Sequence, residues 1–387
     1  MYPSITDLLR DLLGINIPLP IQTFGFFVAV AFLIASWFLS KELKRMELLG
    51  WMKPTHTKVM VGLPVTTGEL VGAGILGFLL GYKLIYAAFH YSQLVDDPQG
   101  IILSTTGSWL GGLAAAAFAV WMKKREKDKQ KLAKPQEKTV TMQPHELVGT
   151  MTLWAAAGGI IGAKVFDILE DPSQFMIDPI HTLLSFSGLT FYGGLIVGAY
   201  AVIRFARKFN IPILRLTDAA APPLMLAYGI GRIGCQMAGD GDWGITNPAP
   251  KPGWMSFLPD WMWSFTYPHN VINHGEPIAG CVGKYCSELP VPVYPTPFYE
   301  CVMAIGLFIF LWSIRKRFTQ PGVMFSLYLL VNGLERFFIE KIRVNNTYHI
   351  AGMDITQAEI ISFCLILLGI AGLIYFKRNK HATHATS

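Results

Sequence analysis

Long apolar runs separated by short polar segments recur along the whole chain. The runs are continuous rather than alternating, which predicts helices and not the strands of a barrel. A helix that crosses a bilayer needs about 20 apolar residues. The pattern predicts an all-α polytopic membrane protein with about nine transmembrane helices, at Ile21–Leu39, Leu70–Phe89, Ile101–Trp121, Leu147–Leu169, Leu189–Phe205, Thr217–Met237, Cys301–Ile314, Val323–Ile339 and Ile355–Phe376.

Composition agrees with lipid as the solvent. Of the 387 residues, 52% are hydrophobic and 15% are charged, whereas a soluble protein carries about 25% charged residues. The net charge of +6 raises the question of a nucleic-acid partner. The distribution of the basic residues answers that question.

The basic residues outside the runs predict how the chain crosses the membrane, because cytoplasmic loops are rich in Lys and Arg. One side holds 23 of them, and the other holds only Arg10, Lys251, Lys284, Lys341 and Arg343. We expect the N-terminus outside and the C-terminus in the cytoplasm. The positive charge is a topology signal, so we expect no nucleic-acid partner.

The first residues lack the basic segment and cleavage site of a signal peptide. Apolar residues recur there at helical spacing, with Asp7, Arg10 and Asp11 between them. This pattern predicts a short helix that lies at the membrane interface over residues 1–20. A disordered tail is the alternative.

The largest loop, residues 239–296, lies on the predicted outer side and contains Cys281 and Cys286. In an oxidising compartment this pair would close a disulfide, and two free thiols are the other interpretation. The five cysteines form no CxxC or Cys/His spacing, so we expect no metal and no cofactor.

Two segments resemble each other and predict a duplicated two-helix hairpin. Each begins Glu-Leu-Val-Gly, at Glu69 and at Glu146. Each continues through a Gly-rich run with a lysine, an acidic loop (Asp96-Asp97-Pro98 and Glu170-Asp171-Pro172) and a Gly-Gly pair. Both copies start on the same side, so the repeat is parallel and not inverted.

Four basic residues lie inside apolar runs, namely Lys83, Lys164, Arg232 and Arg336. Charges at membrane depth are costly and usually mark function. Arginine binds phosphate through two parallel hydrogen bonds, so Arg232 and Arg336 are candidates to grip a phospholipid headgroup. Glu340 follows Arg336 by one helical turn, and ion pairs that merely lock helices are the alternative.

Four stretches, in this order, resemble prolipoprotein diacylglyceryl transferases. They are Ser187–Leu195, Gly231–Gly234 with the acidic segment to Gly244, Tyr294–Glu300, and Glu335–Glu340 with Arg343. The resemblance covers Leu19–Met52 and Glu146 to the C-terminus, and we expect no counterpart for Val61–Lys138. Together with the residue pattern, the resemblance predicts four parts: the interfacial helix 1–20, a first span with its basic loop 21–58, an inserted hairpin 59–140, and a transferase-like core 141–387.

Three residues depart from the family pattern. Tyr192 replaces the family's histidine, Cys235 replaces an asparagine, and Asn332 replaces a tyrosine. Tyrosine is a poor base at neutral pH. The base that accepts the thiol proton is therefore left open among Asp240, Asp242 and Glu340.

The resemblance implies roles for particular residues. Arg232 and Arg336 would hold the phosphate, Glu340 would orient Arg336, and Tyr192 would contact the headgroup or the thiol. The substrate-binding residues would be Gly193, Gly194, Cys235, Asp240, Asp242, Gly244, Glu300, Asn332 and Arg343.

The implied activity is transfer of diacylglyceryl from phosphatidylglycerol to the lipobox cysteine of prolipoproteins, with release of glycerol phosphate. The implied location is the bacterial inner membrane, with the protein as a monomer. A lipid-binding membrane factor without turnover is a second hypothesis, motivated by Tyr192 and Cys235. A small-solute transporter, suggested by the repeat and the buried charges, is a third.

Overall fold

A computed structural model describes residues 1–132, 134–185, 190–345, 347–350 and 353–384. The predicted motif residues Ser187, Gly188 and Leu189 lie outside this part of the chain. The described residues are mainly helical, as the continuous apolar runs predict.

The helices vary from single turns to membrane-spanning length. In chain order they are α1 (Ile5–Leu13), α2 (Thr23–Leu48), α3 (Thr67–Phe89), α4 (Tyr91–Asp96), α5 (Pro98–Leu103), α6 (Trp109–Gln130), α7 (Val148–Glu170), α8 (Pro172–Ile177), α9 (Pro179–Leu184), α10 (Phe191–Lys208), α11 (Ile213–Ala238), α12 (Thr296–Ile314), α13 (Val323–Glu340) and α14 (Gln357–His384). The strands pair as antiparallel ribbons: β1 (Thr55–Val61) with β2 (Gln136–Met142), β3 (Glu276–Pro277) with β4 (Ser287–Glu288), and β5 (Thr347–Ile350) with β6 (Met353–Thr356).

Within the described residues, five helical segments are long and apolar enough to cross a membrane. They are Thr23–Leu48, Thr67–Phe89, Pro144–Glu170, Thr296–Arg317 and Gln357–Arg378. The chain is therefore a helical membrane protein. Helices α6, α10, α11 and α13 occupy the other predicted spans, and nine spans with their orientation stay predictions. The predicted start of the third span is wrong, because Ile101 lies in the short helix α5 and α6 begins at Trp109.

Helix α1 forms where the helical spacing predicts it. Ser4 and Asp7 make a capping box, in which each side chain binds the backbone N–H of the other residue. Gly14 ends the helix in the left-handed conformation. The helix is thus confirmed, while its place at the membrane interface stays a prediction.

The chain forms two compact units, Met1–Met52 with Ile211–Ser387, and Lys53–Asn210. In the first unit α11 packs against α2, α12 and α13, and α13 packs along α14. The core of this unit is the apolar cluster of Ala31, Ala221, Met225, Leu226, Ile230, Ala304, Phe308, Leu311 and Met324.

A buried carboxylate sets α13 against α11. Asp218 of α11 accepts hydrogen bonds from the N–H groups of Gly322 and Phe325, at 2.7 and 2.8 Å. The first N–H groups of a helix have no partner within it, so Asp218 caps α13 from another helix. This contact fixes the relative position of the two helices that carry Arg232 and Arg336.

The second unit contains the two copies of the repeat as two helix pairs, α3 with α6 and α7 with α10. Glycines bring the helices of each pair together. A Cβ at Gly81 would lie 2.5 Å from the carbonyl oxygen of Gly111, and a Cβ at Gly162 would lie 2.3 Å from that of Gly193. Equivalent glycines therefore make equivalent contacts, as expected for membrane helices that approach through small residues.

The lysines of the repeat also match. Lys83 donates to Ser104 Oγ at 3.2 Å, and Lys164 donates to Ser185 Oγ at 3.1 Å, each serine lying 21 positions later. Lys83 also binds the carbonyl oxygens of residues 101, 104 and 106. These lysines hold the loops of their hairpins, in agreement with a helix-locking role.

The predicted alignment of the acidic loops is wrong. Helix α5 starts at Pro98 and leads to Ser104, and α9 starts at Pro179 and leads to Ser185. Pro98 is therefore equivalent to Pro179 and not to Pro172. The acidic-Pro pattern occurs twice in the second copy, and only the tertiary contacts of the lysines choose between them.

The outer loop has its own small core of Trp243, Tyr267, Leu289 and Val293. The buried side chain of Asn270 donates to the carbonyl oxygens of Tyr267, His274 and Ser287. Cys281 and Cys286 form a disulfide, which confirms the first of the two interpretations of this pair.

Candidate functional site

Arg232 and an acidic loop meet because α11 ends abruptly. Gly239 follows the last residue of the helix with φ +65°, a conformation that favours glycine. A Cβ there would also lie 2.9 Å from Cβ of Asn270. The turn brings Asp242 back to α11, where its Oδ2 pairs with Nη1 of Arg232.

Glu300, near the start of α12, is fully buried and binds three arginines. Its carboxylate lies 2.5 Å from Nε of Arg232, 3.2 Å from Nη1 of Arg336 and 2.9 Å from Nη1 of Arg343. A buried carboxylate is tolerated only when it is paired. Glu300, expected among the substrate-binding residues, therefore lies behind the arginines and connects them.

Asp242 completes the ring of charges from the loop side. Its second oxygen, Oδ1, pairs with Nη2 of Arg343, and its carbonyl oxygen accepts from Oγ1 of Thr296 at 2.7 Å. The ion pair of Asp242 with Arg343 spans 101 positions of sequence. We call the group of Arg232, Arg336, Arg343, Asp242, Glu300 and Glu340 the arginine cluster.

Gly244 places the segment after α13 against the loop. Its N–H donates to the carbonyl oxygen of Tyr294 at 2.8 Å, and it forms an isolated antiparallel bridge with Arg343. A Cβ at Gly244 would lie 2.4 Å from the carbonyl oxygen of Ile342. Glycine is needed here for close backbone approach, which positions Arg343.

The ion pair predicted from the i+4 spacing is present. Nη2 of Arg336 lies 3.0 Å from Oε2 of Glu340. Glu340 is buried, and Nδ2 of Asn345 donates to its Oε1 at 2.6 Å. Glu340 is thus engaged on both oxygens and holds the guanidinium of Arg336 in place.

Asp240 lies beside the arginine cluster and is less engaged than Asp242. Its Oδ1 accepts from the N–H of Asp242 at 3.4 Å, and the thiol of Cys235 donates to it. Burial and the charge of Asp242 raise the pKa of Asp240. Asp240 therefore keeps a proton to a higher pH than an exposed aspartate does.

One group of donors in the described residues could hold a metal ion. Cys235, Asp240 and Asp242 each offer an atom within 4.8 Å of the others. Arg232 and Arg343 already occupy both oxygens of Asp242, so a cation would compete with two guanidinium groups. The donor set fits an acid–base role better than a metal site.

The sequence analysis did not predict that a further acidic residue, Glu335, is buried near the arginine cluster. Glu335 is buried, and neither of its carboxylate oxygens has a hydrogen-bond partner within the described residues. The hydroxyl of Tyr228 is also buried without such a partner there. The position of Glu335 inside an apolar run indicates a functional residue, but the sequence assigns it no role of its own beside Arg336.

Asn332 and the glycine pair contact helices rather than the arginine cluster. Nδ2 of Asn332 lies 3.7 Å from Sδ of Met225, so its contact is with α11 rather than with the arginines. Tyr192, Gly193 and Gly194 lie in the first turn of α10, in the second unit. Gly193 and Gly194 pack on α7, where a Cβ would meet the carbonyl oxygens of residues 162 and 159.

A separate cavity of 1060 Å³ lies between α1, the disulfide turn and the C-terminal end of α11. Its lining includes Asp7, Met237 and Lys284. The predicted site residues do not line it, so the arginine cluster and this cavity are distinct features.

The arginine cluster suits an anion with several oxygens. The side chains of Arg232, Arg336 and Arg343 keep 15%, 21% and 9% of their exposure. Their planar guanidinium groups are pre-oriented by carboxylates, so binding an oxyanion costs little further order. Phosphate matches this geometry through bidentate hydrogen bonds.

Comparison with known proteins identifies the family. A sequence model of prolipoprotein diacylglyceryl transferase matches residues 11–137 and 113–375. These ranges cover most of the chain. The chain belongs to the prolipoprotein diacylglyceryl transferase family.

Named relatives agree with this assignment, and each is a phosphatidylglycerol–prolipoprotein diacylglyceryl transferase. The protein from Chlorobaculum tepidum is 27% identical over 75% of this chain and 93% of its own length. The protein from Leptospira interrogans is 25% identical over 84% of this chain and 72% of its own. The protein from Corynebacterium glutamicum is 29% identical over 61% of this chain and 70% of its own.

The first matched range corrects one expectation. It includes residues 61–137, for which no counterpart in the transferase family was expected. The second range begins at residue 113 and contains the second copy of the repeat. Either copy thus aligns with the family, as a duplication of one hairpin predicts.

Proposed function

We propose that the arginine cluster binds the phosphate of phosphatidylglycerol. The chain transfers diacylglyceryl from phosphatidylglycerol to the lipobox cysteine of prolipoproteins and releases glycerol phosphate. The observation that carries the site assignment is the shared carboxylate of Glu300, which holds three guanidinium groups from three segments close together.

The transfer step balances without a cofactor. The cysteine thiol gives up its proton, and its sulfur attacks the glyceryl carbon that bears the phosphate oxygen. The carbon–oxygen bond breaks and its electron pair stays on the phosphate. Arg232, Arg336 and Arg343 stabilise the charge that develops there, and the proton passes to a base.

Asp240 is the base we propose among the three candidates. Both oxygens of Asp242 are paired with arginines, and both oxygens of Glu340 are engaged by Arg336 and Asn345. Within the described residues Asp240 forms no ion pair with an arginine, and burial raises its pKa, which makes its carboxylate a stronger base. Tyr192, with Gly193 and Gly194, would contact the headgroup or the thiol.

The proposed setting is the bacterial inner membrane. The protein would cross it nine times as a monomer, with the N-terminus outside and the C-terminus in the cytoplasm. The loop 239–296 and the arginine cluster at the C-terminal end of α11 would then face the outer leaflet. The charge distribution of the loops supports this orientation.

The test is restoration of lipoprotein modification in cells that lack their own transferase. We expect the intact chain to restore it. Arg232→Gln and Arg336→Gln, tested separately, should each lower the rate about 10²–10³-fold, as loss of an oxyanion-stabilising group does. Lys251→Gln, in the outer loop away from the cluster, should leave the rate unchanged.

Two outcomes would contradict the proposal. Well-expressed intact protein that fails to modify any prolipoprotein would remove the activity. If it still bound phosphatidylglycerol, the second hypothesis, a lipid-binding factor without turnover, would replace it. Undiminished transfer in both arginine variants would leave the activity and overturn the site.

A further inference from the structure

The ribbon of β1 and β2 has two unlike faces. Seven residue pairs align, from Thr55 with Met142 to Val61 with Gln136, and directly paired residues project to the same side. The apolar face, as we call it, carries Thr55, Thr57, Val59, Val61, Val140 and Met142, together with two polar residues, Gln136 and Lys138. The polar face carries His56, Lys58, Met60, Glu137, Thr139 and Thr141.

The polar face satisfies its own groups. His56 Nδ1 lies 3.0 Å from Oγ1 of Thr141, and Nζ of Lys58 lies 3.2 Å from Glu137. The apolar face has no comparable polar pairs among the described side chains, and Val59 remains 36% exposed. The ribbon is therefore amphipathic, with its valines on one side.

The ends of the ribbon are tied to two membrane hairpins. At one end Thr55 donates to the carbonyl oxygen of Phe209, just after α10, and β2 leads into α7. At the other end β1 leads into α3, and α6 leads into β2. The strands are seven residues long, so the ribbon spans about 20 Å between ends of spanning helices on one side of the membrane.

This geometry orients the ribbon along the membrane surface. Both ends of the ribbon join helices that enter the bilayer, so both lie at similar depth. Helix α6 shows where the surface is: Trp121 is half exposed, and the guanidinium of Arg125 stacks on its ring at 5.2 Å. Aromatic and basic residues together are typical of the bilayer interface.

The surroundings of the ribbon are strongly basic. Residues 53–61 and 123–142 contain ten Lys or Arg against three Asp or Glu. Lys138 is paired directly across from Val59 and so projects from the apolar face. A lysine among valines suits an interface with lipid, because its aliphatic stem contacts apolar groups while its ammonium reaches a phosphate.

We propose that the apolar face of the ribbon rests on the inner leaflet and that the surrounding lysines bind phosphates of anionic lipids. The inference goes beyond the transferase activity and rests only on the cytoplasmic side proposed for this segment. Amphipathic elements with basic residues bind anionic membrane surfaces through apolar area and charge together. The ribbon presents both on the side where its hairpins enter the bilayer.

The test compares two positions on one strand in the full-length chain. Val59→Cys and His56→Cys, each with Cys364→Ser to remove the exposed free cysteine, are spin-labelled and placed in lipid nanodiscs. The discs contain phosphatidylcholine alone or with phosphatidylglycerol. Paramagnetic relaxation measures the access of oxygen, which enters lipid, and of a water-soluble nickel complex.

We expect the ratio of oxygen access to nickel access to be several-fold higher for the label at Val59 than for the label at His56. This difference should be larger in discs that contain phosphatidylglycerol. Replacing Lys131, Lys134 and Lys138 together by glutamine should abolish the dependence on phosphatidylglycerol. The same change at Lys251 and Lys284, in the outer loop, should not affect it.

Equal access of the nickel complex to both labels in both lipids would overturn the proposal. Shielding of Val59 that requires added cytosolic protein would also overturn it, in favour of a soluble partner. Neither readout depends on transferase activity, so failure here is distinguishable from failure of the proposed function.

Discussion

Arg336 and Arg343 donate to the same carboxylate oxygen, Oε1 of Glu300, at 3.2 and 2.9 Å. Two guanidinium groups would repel each other at this separation without the shared anion. Because Glu300 also binds Arg232, one buried side chain keeps three positive charges together. Removal of this single carboxylate should therefore disturb the whole arginine cluster.

Glu300→Gln should lower both stability and transfer. Breaking a buried ion pair costs about 3–5 kcal/mol, so we expect a lower midpoint of thermal unfolding in detergent and loss of prolipoprotein modification. Glu276→Gln is the matched control, because Glu276 lies in an exposed strand of the outer loop. Unchanged unfolding and transfer in Glu300→Gln would show that the arginines need no shared partner.

Gly162→Ala should destabilise the pair of α7 and α10. The new Cβ would lie 2.3 Å from the carbonyl oxygen of Gly193, and overpacking of this kind costs about 1–3 kcal/mol. Gly149→Ala on the same helix meets nothing within 4 Å and should be neutral. Thermal unfolding of the two variants compares them directly.

The first copy of the repeat offers the same comparison. Gly81→Ala would place a Cβ 2.5 Å from the carbonyl oxygen of Gly111, whereas Gly72→Ala meets nothing within 4 Å. If the hairpins are duplicates in packing as well as in sequence, Gly81→Ala should resemble Gly162→Ala. Equal stability of Gly81→Ala and Gly72→Ala would contradict that equivalence.

Asp240→Asn should remove one pH dependence of stability. Burial and the charge of Asp242 raise the pKa of Asp240 in the folded chain. The contribution of the protonated Asp240 to the free energy of unfolding is therefore fully present below the ordinary aspartate pKa of about 3.9. That contribution is lost as pH rises through the folded-state pKa. The variant should be more stable than the parent at pH 7, and the difference should vanish at low pH.

The same variant tests the base. Transfer by the parent should fall as pH drops through the raised pKa of Asp240, because the protonated carboxyl cannot accept the thiol proton. Asp240→Asn should lose transfer at every pH while phosphatidylglycerol binding remains. If the rate of transfer by the variant matched that of the parent at every pH, the base would have to be another carboxylate.

Cys281→Ser with Cys286→Ser should loosen the outer loop. The disulfide closes a short loop, because its cysteines are five positions apart, and chain-entropy arguments give about 2 kcal/mol for a loop of this size. We expect faster proteolysis within residues 274–288 and little change in the helices. Mass spectrometry without reduction should find no alkylatable thiol at either position in the parent.

Much of the fold could be predicted from the pattern of residues. The apolar runs placed the long helices, and the spacing of Ile5, Leu8, Leu9 and Leu12 placed α1. Helix ends were less certain, and the start of α6 differed by eight residues because a short helix, α5, precedes it. Periodicity reports which face is apolar and says little about where a helix begins.

Local spacing also predicted part of the site. The i+4 separation of Arg336 and Glu340 correctly placed them on one helix face. Sequence could not reveal that Glu300 lies behind the arginines, because Arg232 and Arg343 reach it from other segments. It also gave no indication that Asn332 contacts Met225.

The sequence by itself determined that this chain is a helical membrane protein with arginines in its apolar segments, because lipid demands long continuous runs and makes charges conspicuous. It also determined the family, through short motifs around Arg232 and Arg336. Only the tertiary structure decided that Glu300 and Asp242 also hold the arginines. The partners are far apart along the chain, and helix contacts set by small residues and by the cap from Asp218 bring them together.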